Sequence, residues 1–158
     1  MSSVKQVIVV RTAYPDGRGG TFKPRLGKLA AQVAHASMKV FFDRGKVVHN
    51  LTALDEHGGC PKVYGGQQFL IALGYEGMRE WVEGLFTKVV VGVETEEDLL
   101  RVHELAKAAG LPTALIQDAG LTEFKGVPTY TTCAVGPAAA EKIDPITGPE
   151  GAVRTRLL

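Results

Sequence analysis

The sequence predicts an α/β fold, a single compact domain over 1–158 in which helices flank both faces of a four-stranded mixed β-sheet. Short runs rich in β-branched residues alternate with longer segments of helical periodicity, as in α/β proteins. A strand, a helix and a second strand follow one another over 88–117, as expected for parallel strands joined by a crossover. The connection to the fourth strand is too short for another crossover, so that strand is expected to pair antiparallel.

In the first half, a strand is expected at 4–11 and a helix from Leu26 to about 43–45. The strand is a β-branched run, and the loop that follows it contains the Pro and Gly residues that interrupt regular structure. The helix consists of good helix formers with apolar residues at helical spacing. The connecting segment 46–77 is the least readable part, and a lid, an RNA contact or a decoration are the alternatives for it.

In the second half, turn and capping signals separate the predicted elements. Thr95 to Asp98 form a capping box with acidic residues in the first turn, and Gly110 is a helix stop. Pro137 suits the first position of a last helix, which is expected to end at Ile143. Helices are therefore predicted at 76–85, 96–109 and 137–143, and strands at 88–93, 113–117 and 129–135.

The composition excludes several classes of protein. With 158 residues, 45% hydrophobic and 22% charged, the chain suits one globular domain. No apolar run approaches the roughly 20 residues of a membrane helix, and no signal-peptide layout is present. Two distant cysteines, Cys60 and Cys133, form no disulfide framework and suit a reducing cytosol. We therefore expect a cytoplasmic protein with no membrane partner.

Metal and nucleotide chemistry have little support. His57 and Cys60 have ligand-like spacing, but no second pair completes four ligands, so no metal is expected. The Walker and dinucleotide fingerprints are missing, which disfavours a nucleotide-dependent enzyme.

The positive charge is concentrated in the first 50 residues. They contain nine Lys or Arg residues against two acidic ones, a formal charge of +7, so the rest of the chain carries −6 to give the total of +1. Two readings are open: a one-sided anionic partner such as a nucleic-acid backbone, or a fold that mixes the two halves. From charge and position alone, Arg11, Arg18 and Lys23 are the candidate phosphate contacts.

Candidate polar residues converge on one rim of the predicted sheet. Lys28, Gln32 and His35 share a helix face, and Asp118 ends the third strand. If the first and third strands run parallel, Lys28 and Asp118 lie at the same rim. Each has a structural alternative: a solvated helix face, or an Asx turn at Asp118. The hydroxyls available nearby are those of Thr122, Thr129, Thr131 and Thr132, and no serine or cysteine nucleophile is evident.

Four separated segments carry a family resemblance. Residues 27–36, 111–122, 131–137 and 143–148 resemble the peptidyl-tRNA hydrolases of the second, archaeal and eukaryotic type, in order and approximate spacing. Two departures are the segment 46–77, longer than the usual connection, and four residues inserted after Gly148. The resemblance implies that the functional positions are Lys28, Gln32, His35, Asp118, Thr122 and Thr131.

The resemblance also implies the activity: hydrolysis of the ester between a nascent peptide and tRNA in prematurely released peptidyl-tRNA, which recycles the tRNA. It implies a homodimer and no cofactor. Water would attack the ester with Asp118 or His35 as the base, Thr122 and Thr131 would hold the water, and Lys28 would stabilise the oxyanion or bind the terminal phosphate. Gln32 would position the substrate. The alternative is a non-catalytic tRNA- or RNA-binding module on the same fold.

Overall fold

The computed structural model describes residues 3–53, 59 and 62–158, and within them nine strands and four helices. The helices are α1 (Leu26–Phe42), α2 (Met78–Glu83), α3 (Glu96–Ala108) and α4 (Ala140–Thr147). The strands are β1 (Val4–Arg11), β2 (Tyr14–Pro15), β3 (Thr21–Phe22), β4 (Gly45–Ala53), β5 (Lys62–Ile71), β6 (Lys88–Val93), β7 (Thr113–Asp118), β8 (Thr129–Ala139) and β9 (Arg156–Leu157).

The main sheet has the order β7-β8-β1-β6-β9. β1 pairs parallel with β6, and the other pairs are antiparallel, so the mixed sheet is confirmed. It has five strands rather than four because the two-residue β9 adds to the edge of β6. β6 and β7 run in the same direction, but β1 and β8 lie between them. The helix α3 therefore crosses two strands.

Helices cover both faces of the sheet, as predicted. β1 alternates its side chains between two core clusters, since successive strand residues point to opposite faces. Val7 and Val9 pack with α3 and α4. Ile8 and Val10 pack with α1 and α2. The central strand is thus buried on both sides, which explains its nearly continuous apolar sequence.

A buried amide holds α1 on the sheet. The side chain of Gln6, on β1, is fully buried. It accepts a hydrogen bond from the Ser37 hydroxyl (2.6 Å) and donates to the carbonyls of Ser37 (3.3 Å) and Gly136 (3.4 Å). Because buried polar groups are costly when unpaired, these bonds favour a single position of α1 against β1 and β8.

The last helix begins three residues later than predicted. β8 continues through Ala139, with Ala138 opposite Lys5 and Ala139 opposite Val4. Pro137 therefore lies inside a strand rather than at the first position of α4, and the Gly136–Pro137 peptide is cis. The prediction was wrong because strand pairing with β1 outweighed the local preference of proline for a helix start.

In the connecting segment that follows α1, β4 and β5 form an antiparallel hairpin outside the main sheet. Its side chains are mostly exposed on both faces, including Val47, Val63 and Tyr64. A strand that buries neither face lacks the alternation by which strands are identified in sequence. Among the described residues, no helix has the length and apolar character needed to cross a membrane.

Candidate active site

The start of α1 faces the end of β7 across the rim of the sheet. Lys28 and Gln32 are one helical turn apart, so both side chains point the same way. Lys28 Nζ donates to Asp118 Oδ2 at 2.5 Å, and Gln32 Nε2 donates to the same oxygen at 2.7 Å. The predicted convergence of an α1 cation and the β7 carboxylate is therefore present.

A tight loop after β7 holds the other carboxylate oxygen. Gly120 N donates to Asp118 Oδ1 at 2.8 Å, the hydrogen bond of an Asx turn. Gly120 has φ +81°, and a Cβ there would lie 2.3 Å from the carbonyl oxygen of Val127. Only glycine satisfies both conditions. Asp118 thus forms the Asx turn with Oδ1 and at the same time binds Lys28 and Gln32 with Oδ2, so the two interpretations of this residue are compatible.

A β-bulge brings Thr131 into the same network. Ile116 pairs with Thr132, and Gln117 pairs with Tyr130, so Thr131 is left without a partner across the strands. Bulges of this kind redirect side chains. The hydroxyl of Thr131, only 1% exposed, donates to Gln32 Oε1 at 2.5 Å. Gln32 is thereby oriented with its NH₂ group towards Asp118.

Two opposing effects set the charge of Asp118. Burial alone raises the pKa of this carboxyl. The hydrogen bond and charge of Lys28, together with the N–H groups of Gly120 and Gln32, lower the pKa by more than burial raises it. The net result is an Asp118 pKa below the ordinary value. The carboxyl is therefore an anion at neutral pH, which makes it a good electrostatic anchor and a weak proton acceptor.

Within the described residues, one donor and one acceptor of the centre have no hydrogen-bond partner. The Lys28 ammonium has three N–H donors, and two are directed at Asp118 and Thr122, the latter at 3.3 Å. The Asp118 carboxylate can accept about four hydrogen bonds. Lys28, Gln32 and Gly120 occupy three of them. The free N–H of Lys28 can polarise a substrate carbonyl, and the free acceptor of Asp118 can hold a water next to that carbonyl.

The remaining predicted site residues are dispersed. Thr122 is exposed and contacts the centre through its hydrogen bond with Lys28. His35 is exposed further along α1 and, within the described part of the chain, makes no hydrogen bond or ion pair. Arg18 and Lys23 lie exposed on the loop between β1 and α1. The possible metal pair, His57 and Cys60, lies outside the described residues.

Arg11 is committed to the fold. Its guanidinium pairs with Glu96 at 2.6 Å, donates to the carbonyl of Ala13 and lies over the ring of Tyr14. Only 8% of the residue is exposed. A cation engaged in this way is poorly placed to bind a phosphate.

Neither a reactive thiol nor a metal-ligand group is found among the described residues. Cys133 is fully buried in the cluster under α3, and burial raises the pKa of its thiol to about 12. Across 3–53, 59 and 62–158, no three His, Cys, Asp or Glu side chains are grouped closely enough to hold a metal ion.

Sequence reasoning missed an aromatic cluster next to the centre. Tyr14 and Phe22 pair across the small β2–β3 hairpin, and Phe124 lies between them and Lys28. The Lys28 ammonium is 5.5 Å from the centroid of the Phe124 ring. The only available signal was the position of Tyr14 and Phe22 on either side of a glycine-rich turn, which is typical of a short hairpin.

The chain matches a family model and several curated proteins. The model described as "Peptidyl-tRNA hydrolase PTH2" matches residues 4–149. A protein of Methanopyrus kandleri named peptidyl-tRNA hydrolase is 40% identical over 145 residues, 91% of this chain and 93% of its own. Proteins of the same name from Staphylothermus marinus (36% identical, 91% and 90% covered) and Halobacterium salinarum (37% identical, 92% and 96% covered) are also similar.

The electrostatic account of Asp118 can be tested directly. In Lys28→Met, the Asp118 pKa is expected to rise, because burial remains while the main stabilising cation is lost. The measurement is a carboxyl ¹³C titration by NMR. Lys23→Met is the matched control, since the Lys23 side chain is exposed on the neighbouring loop and the Asp118 titration should not move. An unchanged Asp118 pKa in Lys28→Met would contradict the account.

Proposed function

The chain belongs to the peptidyl-tRNA hydrolase family described as PTH2, and we propose that its Lys28–Asp118 centre catalyses the family reaction. The chain hydrolyses the ester bond between a nascent peptide and tRNA, and thereby returns the tRNA to translation. The observation that supports this centre most is the anion of Asp118, which three donors hold while, among the described residues, one acceptor position stays free.

The mechanism assigns one task to each free group. A water held by Asp118 Oδ1 attacks the ester carbonyl carbon, and its proton passes to Asp118. The free N–H of Lys28 stabilises the oxyanion that forms. The bond to the ribose oxygen then breaks, and Asp118 returns the proton to that oxygen. The products are a peptide carboxylic acid and a tRNA hydroxyl, with no cofactor required.

Asp118 is preferred to His35 as the group that handles the water. The lowered pKa makes Asp118 a weak base, but its ion pair with Lys28 fixes it beside the group that would stabilise the oxyanion. His35 has no hydrogen bond linking it to Asp118 or Lys28 within the described residues. We assign Gln32 and Thr131 to orienting Asp118, and Thr122 to orienting Lys28.

For the RNA, we propose phosphate contacts from Arg18 and Lys23. Both are exposed on the loop next to the centre, and neither side chain has an ion-pair partner in the described structure. Arg11, the third sequence candidate, is not retained because Glu96 already pairs with it. Binding through such contacts weakens as salt rises.

We also propose that the chain acts as a homodimer in the cytoplasm, where peptidyl-tRNA is produced. An apolar groove of about 630 Å³ runs along α1 and β6. Leu26, Met38 and Leu158 line it and are exposed. A second copy would remove this surface from water.

Replacing the carboxylate separates catalysis from binding. Asp118→Asn is expected to reduce the rate of hydrolysis of N-acetyl-aminoacyl-tRNA by about 10²-fold or more, since the water loses its anchor. Affinity for uncharged tRNA should change little. The control is Asp43→Asn, an exposed carboxylate near the end of α1 that pairs with Lys39.

The same experiment distinguishes the non-catalytic alternative. An RNA-binding module would bind tRNA but show no ester cleavage even as the wild-type protein. Full activity in Asp118→Asn would refute the role of Asp118.

The pH profile identifies the base. Because the Asp118 pKa lies below its ordinary value of about 3.9, kcat/KM should stay level from about pH 7 down to about pH 5. His35→Gln should give the same level profile with a rate within a few-fold of the wild type. A decline between pH 7 and 6 that disappears in His35→Gln would assign the base to His35 instead.

A further inference from the structure

A second cavity opens beside the Lys28–Asp118 centre. It has a volume of about 520 Å³, and we call it the aromatic pocket because Tyr14, Phe22 and Phe124 line it. Tyr14 and Phe124 also pack beside Lys28, Gln32 and Thr131, in a region too closely packed to admit a water molecule. Phe124 thus borders both the pocket and Lys28, whose ammonium is 5.5 Å from its ring centroid, so a group seated in the pocket lies close to that ammonium.

The three rings pack against one another, and Phe22 is the most accessible of them, since Tyr14 is 2% and Phe124 7% exposed. The centroid of Phe124 is 4.7 Å from that of Tyr14 and 6.1 Å from that of Phe22, and Tyr14 and Phe22 are 5.8 Å apart. Stacking on such rings is a usual way for proteins to bind unpaired bases.

The polar groups at the rim of the pocket are suited to a nucleotide. Asp16 Oδ1 accepts hydrogen bonds from the backbone N–H groups of Arg18 and Gly20, which leaves Oδ2 as an acceptor for an amino group. The negative charge of Glu123 is compensated by its ion pair with Arg25. Lys125 lines the pocket, and its exposed ammonium has no hydrogen-bond or ion-pair partner within the described residues.

We propose that the aromatic pocket binds the terminal adenosine of the tRNA. This inference rests on the proposed function, since the ester to be cleaved is attached to the ribose of that adenosine. The base stacks on Phe22, the half-buried ring of the cluster, and its exocyclic amino group donates to Asp16. The cations Arg18, Lys23 and Lys125 surround its 5′-phosphate.

The other candidate occupant is the side chain of the peptide's last residue. A hydrolase of peptidyl-tRNA meets peptides with any residue at that position, whereas every tRNA ends in the same adenosine. A preformed pocket with aromatic rings, a carboxylate acceptor and nearby cations matches the constant part of the substrate. It does not match a side chain that changes from one substrate to the next.

The test compares esters that differ only in the terminal base. N-acetyl-phenylalanyl and N-acetyl-alanyl esters are prepared on the trinucleotide CCA, on CC followed by an abasic ribose, and on CC followed by inosine. For the wild-type protein, KM should be about tenfold or more higher for the abasic ester than for CCA, with kcat within about twofold. Inosine, which lacks the amino group, should fall between them.

The variants locate this preference in the pocket. Phe22→Ala should raise KM for the CCA ester to near that of the abasic ester and leave the abasic ester unchanged. Phe22→Trp should restore the low KM. Asp16→Asn, on an exposed loop, should reduce only the discrimination between adenosine and inosine. Tyr64→Ala, which removes an exposed aromatic ring from the β4–β5 hairpin, is the matched control and should have no effect.

Three results would overturn the proposal. The first is equal KM values for the adenosine and abasic esters. The second is an increase in KM in Phe22→Ala that is the same for both esters. The third is an increase in KM that depends on the acyl residue, Phe or Ala, instead of on the base. The last result would place the peptide in the pocket.

Failure of the proposed function has a different signature, namely a wild-type protein that cleaves none of these esters. Calorimetric binding of adenosine 5′-monophosphate and ribose 5-phosphate then decides the pocket separately. A preference for the former that is lost in Phe22→Ala supports it, and equal affinities refute it.

Discussion

The ion pair between Lys28 and Asp118 is the interaction on which the site depends. The two side chains are 16% and 13% exposed, so each charge would be costly to leave unpaired at this rim. They come from different parts of the chain: one from the first turn of α1, the other from the last residue of β7. Their meeting requires the helix to be held accurately on the sheet, which the buried bonds of Gln6 and Ser37 provide. The catalytic geometry is therefore a product of the fold as a whole.

The parts of the fold that bury both faces were predictable from sequence. β1 and β6 were expected at the residues where they lie, because a continuous run of β-branched residues is typical of a strand that is buried on both faces. The Thr95 hydroxyl accepts from Asp98 N, as the capping pattern predicts. The β4–β5 hairpin was not predictable, since its strands expose both faces. The start of α4 was misplaced because the pairing of β8 with β1 is a long-range property that proline at position 137 does not reveal.

For the site, the sequence placed Lys28 and Asp118 at one rim but could not determine how they are held. The bulge at Thr131 and the aromatic cluster depend on strand register and on loop closure, which local patterns do not encode. The positive charge of the first 50 residues is compensated in part by acidic residues from the rest of the chain. Lys28 and three other cations of the first 50 residues pair with acids of the second part of the chain, whereas the side chains of Arg18 and Lys23 have no ion-pair partner among the described residues. The other three pairs are Lys5–Asp144, Arg11–Glu96 and Arg25–Glu123.

The claim that Lys28 and Asp118 act as one unit is tested most directly by a double-mutant cycle on the hydrolysis of N-acetyl-aminoacyl-tRNA. The cycle compares kcat/KM for the wild type, Lys28→Met, Asp118→Asn and the double variant. If the two residues work together, the double variant should be no slower than the slower single variant, since the first substitution already removes the unit. Losses that multiply in the double variant would show independent contributions and would contradict the account.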